Sequence, residues 1–316
     1  MSVSSSPKPA TSRIRIGTRG SRLARWQSEW VASELRRHHP GLEVELVEIR
    51  TQGDRDRNSP LASMGGVGVF TKEIQQALLD GSVEVAVHSL KDLPTVGPPS
   101  LILGAVPARE ELADALIAPV HRTLEGLPEG ARVGTSSLRR RALLLNLRPD
   151  LKVENLRGNV ETRLNAAREG RLDAVILAEA GLRRLGLVEH VTQRLGAPKF
   201  LPAVGQGALG IECRAEDRSI IELLAKLDDS ETRLAVVSER ALLAELGGGC
   251  SVPLGAWGRV ESGGQLRLDA AVLDPDGRSR LDATGCGSVE HPEGLGRRVA
   301  QTLREMGADR LLASSG

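Results

Sequence analysis

A chain of 316 residues is long enough for several hydrophobic cores, and a net charge of +1 excludes an overall basic protein built to wrap a polyanion. With no tyrosine, two phenylalanines and three tryptophans, it also lacks the aromatics of a platform that stacks single-stranded bases, so no nucleic-acid partner is expected. Cys213, Cys250 and Cys286 lie far apart without a C-x-x-C pair, which speaks against a metal site or disulfide framework and for a reducing, cytoplasmic setting. Residues 1–12 are Ser/Pro-rich and are expected to form a disordered tail rather than a signal peptide. No apolar run approaches the length that spans a bilayer, so no membrane partner is expected.

Arg13 to Gly17 reads as a strand, followed by a turn and a helix whose apolar positions Leu23, Trp26, Trp30, Val31 and Leu35 follow helical spacing. Leu42 to Ile49 reads as a second strand. The polar, glycine-rich stretch from Thr51 to Gly68 is long for a compact domain and is a candidate lid. Phe70 to Leu79 is helical by pattern, and Val83 to Val87 is a buried strand that delivers Ser89, Lys91 and Asp92 at its C-terminal end, where open α/β sheets place ligands. The run from Arg15 to Leu23 (RIGTRGSRL) is like that from Arg132 to Arg140 (RVGTSSLRR), and Gly81 to Val87 (GSVEVAV) is like Gly170 to Ile176 (GRLDAVI). A weak internal duplication follows: two α/β domains around a cleft, on the plan of solute-binding proteins. A strand near Leu209 to Glu212 returns to the first domain. Helices over Ser219–Leu227 and Thr232–Leu246, a strand pair over Gln265–Leu273 and Ser279–Gly285, and a helix over Glu293–Met306 read as a small α+β third domain.

Gly134 to Arg163 concentrates Arg139, Arg140, Arg141, Arg157 and Arg163 beside Gly-Thr-Ser-Ser and Arg-Gly-Asn turns. A strand running into a helix N-terminus there would offer free N–H groups and hydroxyls, and the arginines add forks of donors suited to carboxylate or phosphate. The alternative is a solvated helix face. Asp92, a carboxylate among cations at a strand end, is placed to steady a developing positive charge, or else caps a turn. Cys250 follows three glycines and reads as a reactive or an inert thiol. Cys213 and Cys286 read as packing residues.

The motifs IGTRGSRLA (Ile16–Ala24), VHSLKDLP (Val87–Pro94), VGTSSLRR (Val133–Arg140), LRGNV (Leu156–Val160), LPAVGQGA (Leu201–Ala208) and GGCSVP (Gly248–Pro253) occur in one order along the chain. From about Arg13 onward the sequence resembles the porphobilinogen deaminase family. The resemblance implies two domains like periplasmic binding proteins of type 2 (residues 13–107 with 208–228, and 112–202), and a small C-terminal α+β domain (230–316). It implies a dipyrromethane cofactor joined by a thioether to Cys250, and head-to-tail condensation of four porphobilinogen molecules with loss of ammonia, then hydrolysis to hydroxymethylbilane. Carried over position by position, Asp92 is catalytic. Ser89, Lys91, Thr135, Ser137, Arg139, Arg140, Arg157, Gly181 and Arg184 surround the cofactor; Arg19, Gln27, Arg157, Arg163 and Gln206 bind substrate. The family is expected to be monomeric and cytoplasmic. One departure stands out: the family's loop usually carries two lysines where this chain has Ser63 and Val67. The competing reading is a non-enzymatic, two-domain solute-binding or ligand-sensing protein without a covalent cofactor.

Overall fold

A computed structural model describes residues 12–51, 53, 68, 71–247 and 252–313. The expected N-terminal tail, most of the candidate lid with Ser63 and Val67, and Cys250 lie outside the described residues.

The first sheet takes β1 (Arg13–Thr18), β2 (Glu43–Glu48), β3 (Val85–Ser89) and β4 (Leu101–Ala105), joined by β10 (Leu209–Arg214), in the order β2-β1-β3-β10-β4. β1 runs parallel to β2 and β3, and β10 is antiparallel to both of its neighbours. Helix α1 (Arg22–His38) is capped by the Ser21 hydroxyl and buries Val31, Ala32 and Leu35 against this sheet, while α2 (Lys72–Leu79) buries Ile74 and Leu78. The second sheet takes β5 (Asp114–Ile117), β6 (Arg132–Gly134), β7 (Lys152–Glu154), β8 (Ala174–Ala178) and β9 (Gln193–Leu195), in the order β7-β6-β8-β5-β9. Here β6 is parallel to β7 and β8, and β5 is antiparallel to β8 and β9. The two orders match strand for strand, with one domain-crossing strand, β10 or β5, in the fourth place of each sheet. The internal likeness of the sequence is therefore a likeness of topology.

In the second domain α3 (Leu138–Leu147) is capped by Ser137 and α4 (Val160–Arg168) by Asn159, while α5 (Glu179–Arg184) follows β8 directly. Helix α6 (Arg218–Leu224) closes the first domain under the Asp217 cap. The third domain packs α7 (Ser230–Glu245), α8 (Pro292–Glu305) and α9 (Ala308–Ala313) on an antiparallel sheet of β11 (Leu254–Val260), β12 (Gln265–Leu273) and β13 (Arg280–Ser288). Its β12–β13 turn reaches the second domain: Asn146 Nδ2 donates to the Gly277 carbonyl at 2.8 Å, and Ala271 and Leu273 join the core beneath α3.

Of the two cysteines expected to pack, Cys213 is buried in β10 and burial pushes its thiol up to about 11. Cys286 is exposed, on the edge strand β13, where its neighbours Gly285 and Gly287 are the residues that face α8. Among the described residues no helix is long and apolar enough to cross a membrane.

Candidate active site

Two crossovers join the first two domains, and they are bonded to each other. Glu110 N–H donates to the Gly207 carbonyl at 3.2 Å. Gly207 has φ +85° and a side chain there would stand 2.4 Å from the Glu110 carbonyl oxygen, so only glycine lets the strands pass. Arg184, buried at the end of α5, donates to the same Gly207 carbonyl at 2.7 Å, and burial lowers its guanidinium to about 10. Gly181, also in α5, lies against Leu23 of α1, where the two domains approach.

From the first domain, β3 ends in a single 3-10 turn, Leu90–Asp92. Leu90 and Leu93 turn inward, Lys91 is half-buried and Asp92 is exposed. Ser89 accepts from Gln27 Nε2 at 2.9 Å, which ties α1 to the end of β3. Arg19 lies half-buried directly after β1.

From the second domain come the arginines. Arg139 and Arg140 are not solvated: 4% and 6% of each remains accessible, and both converge on Asp114, which is fully buried at the start of β5. Arg139 Nη2 lies 2.7 Å from Asp114 Oδ2, Arg140 Nη2 and Nε lie 2.7 and 2.9 Å from Oδ1, and Gln206 Nε2 donates to Oδ1 at 3.0 Å. Arg139 also donates to the Leu201 carbonyl and stands over the Phe200 ring, 5.8 Å from its centre. Burial alone would raise the Asp114 carboxyl, but Arg139 and Arg140 more than offset it and hold it below the ordinary value. Arg139 Nε and Gln206 Oε1 are buried with no hydrogen-bond partner among the described residues. Ser137 is spent largely as the α3 cap, and the Thr135 hydroxyl accepts from Ser137 N–H at 3.2 Å, so this turn is built before any ligand arrives.

The two sets face each other. Burial, joined by Arg140 and Arg139, lowers the Lys91 ammonium to about 8 against the opposing charges of Asp92 and Asp114. Arg163, bonded to the Gly158 carbonyl at 2.8 Å, is lowered to about 10 by burial and by Arg140 and Arg157, with Asp92 opposing. Asp92 of one domain therefore acts on a cation of the other. Lys91, Arg139, Arg140 and Arg163 carry four positive charges against the two negative charges of Asp92 and Asp114, and buried charge left uncompensated is costly. This surplus, with an unpartnered buried guanidinium N–H, fits a ligand that brings several carboxylates.

Arg141 does something else. Its guanidinium reaches the Pro275 carbonyl at 3.3 Å and Asp276 at 3.2 Å, so it binds the third domain to α3 and is not an idle neighbour of Arg140. Sequence reasoning missed Asp114, although an acid inside the apolar run Ala113–Ala118 signals a buried charge in need of cations. It also missed Arg109 and Glu239. Glu239 on α7 is fully buried; it takes Arg109 Nη1 and Nη2 at 2.7 and 3.1 Å, Gly205 N–H at 2.7 Å and Gly258 N–H at 2.8 Å, uniting both crossovers with the third domain.

Comparison with known proteins gives a consistent picture. The model described as "Porphobilinogen deaminase, dipyromethane cofactor binding domain" matches residues 14–222, and "Porphobilinogen deaminase, C-terminal domain" matches residues 233–305. A porphobilinogen deaminase of Syntrophotalea carbinolica is 50% identical over 305 residues, covering 96% of each chain. One from Desulforudis audaxviator is 51% identical over 300 residues, covering 95% of this chain and 97% of the relative. Among solved structures, a nutrient binding protein from Burkholderia cenocepacia bound to methionine matches with a TM-score of 0.42 and 15% identity, covering 67% of this chain and 90% of that one, a likeness too loose to bear on function. With the family models covering both the cleft and the third domain, the chain belongs to the porphobilinogen deaminase family.

Proposed function

We propose that this protein is a hydroxymethylbilane synthase, a transferase that condenses four porphobilinogen molecules head to tail on a dipyrromethane held through Cys250, then releases the product by hydrolysis. The observation that carries the reading is the interdomain cluster of cations, Arg139 and Arg140 buried and Lys91 and Arg163 half-buried, beside one exposed carboxylate, Asp92. We propose domain limits at 13–107 with 208–228, 112–202 and 230–316, and a monomer acting in the cytoplasm without nucleic-acid or membrane partners.

The dipyrromethane, when bound, supplies a nucleophilic pyrrole carbon as the primer of the chain. Lys91, Ser89, Thr135, Ser137, Arg139, Arg140, Arg157, Gly181 and Arg184 would hold it, and its acidic side chains answer the surplus of buried charge. Arg19, Gln27, Arg157, Arg163 and Gln206 would orient the acetate and propionate of incoming porphobilinogen. As the substrate's C–N bond breaks and ammonia leaves, positive charge develops on its ring. Asp92, exposed on its turn, stands to stabilise that charge through the pyrrole N–H while the new C–C bond forms and the α-proton is lost. A ligand-binding protein without chemistry would need none of this carboxylate's placement.

The purified protein is expected to exceed its sequence mass by one dipyrromethane, and Cys250→Ser is expected to carry no adduct and show no turnover. A native chain at its bare sequence mass would sink the enzyme reading. An adduct that persists on Cys213 or Cys286 in the variant would sink the attachment site alone.

A further inference from the structure

The turn that presents Asp92 is held from beneath and from the side. Leu90 and Leu93 are buried with Val106, Ala208 and Val236, and Leu90 N–H donates to the Ala208 carbonyl at 3.0 Å. Val236 belongs to α7. One helical turn later on the same face, Arg240 donates from Nη1 to the Leu93 carbonyl at 3.0 Å and from Nη2 to the Pro94 carbonyl at 2.6 Å. Behind them Glu212 of β10 is buried, accepts from Gln75 Nε2 at 3.0 and 3.2 Å, and lies 2.9 Å from His88 Nε2. Burial lowers the Arg240 guanidinium, and Glu212 supplies the charge that opposes this. A planar guanidinium bridging two successive carbonyls fixes the peptide planes that follow Asp92. The sequence then carries α7 on toward Cys250, ten positions beyond Arg240.

We infer that Arg240 is a positioning residue for Asp92: by gripping the Leu93 and Pro94 carbonyls from the third domain, it sets where the carboxylate stands. The inference rests on the assignment of Asp92 to catalysis made above. Arg240 spends its donors on backbone, so its loss should leave substrate affinity alone and misplace the carboxylate. A misplacement of about 1 Å lowers a rate on the order of a hundredfold.

The test compares Arg240→Gln, Arg240→Lys, Asp92→Asn, the double variant Arg240→Gln/Asp92→Asn, and Arg233→Gln. Arg233 docks the same helix, α7, on the Leu103 and Gly104 carbonyls and on Asp228, with no hydrogen bond to residues 89–94 among the described residues. For each protein, adduct content is read by intact mass, and kcat and KM are measured with porphobilinogen. Expected for Arg240→Gln are full adduct content, KM within about twofold and kcat lower by about 10- to 100-fold. Arg240→Lys, which can hold one carbonyl, should recover part of kcat, and it carries the same comparison if Arg240→Gln does not accumulate as folded protein. The double variant should be no slower than Asp92→Asn, because both changes act through one carboxylate. Near-native kcat in Arg240→Gln, an equal loss in Arg233→Gln, or additive losses in the double variant would each overturn the positioning role. Native turnover in Asp92→Asn would instead strike the assignment of Asp92, which keeps the two failures apart.

Discussion

Removing the Asp114 carboxylate would leave two buried guanidinium groups without their counter-charge, and breaking a buried pair in this way costs about 3 to 5 kcal/mol. Asp114→Asn keeps the shape and the Gln206 contact region but not the charge. It is expected to lower the unfolding free energy measured in urea by an amount in that range and to reduce cofactor loading, both absent in an exposed change such as Glu169→Gln, which touches only the surface pair with Arg171. The linkage sign follows from the depressed carboxyl. The contribution is fully present above the ordinary value of 3.8 and is lost as pH falls through the lower folded value, so native and variant midpoints should converge in acid. An unfolding free energy within about 0.5 kcal/mol of native at neutral pH would show that the arginines find another partner. Asp92 was legible in the sequence because it sits on a turn between a lysine and Leu-Pro, where an acid has no packing reason to be. Asp114 was not, because its partners lie 25 and 26 positions away and only folding brings them together.

Elements were legible where a single pattern dominates. The Gln265–Leu273 strand has the expected bounds, α8 differs from its expectation by a residue at each end, and the returning strand β10 is where glycine-flanked alternation put it. Short strands such as β7 and β9, three residues each, carry too few alternations to be seen, whereas β6, equally short, was read from its likeness to β1. The docking of one element on another was also invisible. The β12–β13 link was read only as the turn of a strand pair, yet Gly277, at φ +70°, abuts α3 so closely that a side-chain carbon would lie 2.4 Å from Asn146 N and 2.5 Å from the Ala142 carbonyl oxygen. These neighbours are backbone and cannot swing aside. Gly277→Ala is therefore expected to cost about 1 to 2 kcal/mol for the left-handed backbone and about 1 to 3 more for the clash. Because α3 begins with Arg139 and Arg140, the loss should appear as reduced adduct content as well as a lower thermal midpoint. Unchanged values of both would mean the hairpin is not docked in solution.

At the scale of the molecule, sequence likeness between the two halves anticipated two α/β domains, but not the buried junction that the third domain makes with them. Glu239 and Arg109 are 130 positions apart, and each alone is an ordinary charged residue on a helix or loop. The strand orders have a further consequence for synthesis. β10 is the strand between β3 and β4, so the first sheet has a gap until residues 209–214 exist, whereas every strand of the second sheet lies between residues 114 and 195. A chain emerging from the ribosome thus completes its second domain before its first, against the usual N-terminal-first order. Chains truncated after residue 203 are expected to protect residues 112–202 from protease while 13–107 is cut, and chains ending after residue 228 to protect both. Protection of 13–107 in the shorter chain would show that the first sheet closes without its last strand. Until that strand arrives, β3 and β4 present open edges to every other chain in the cell, so this protein spends much of its own translation as a candidate for mispairing and for chaperone capture.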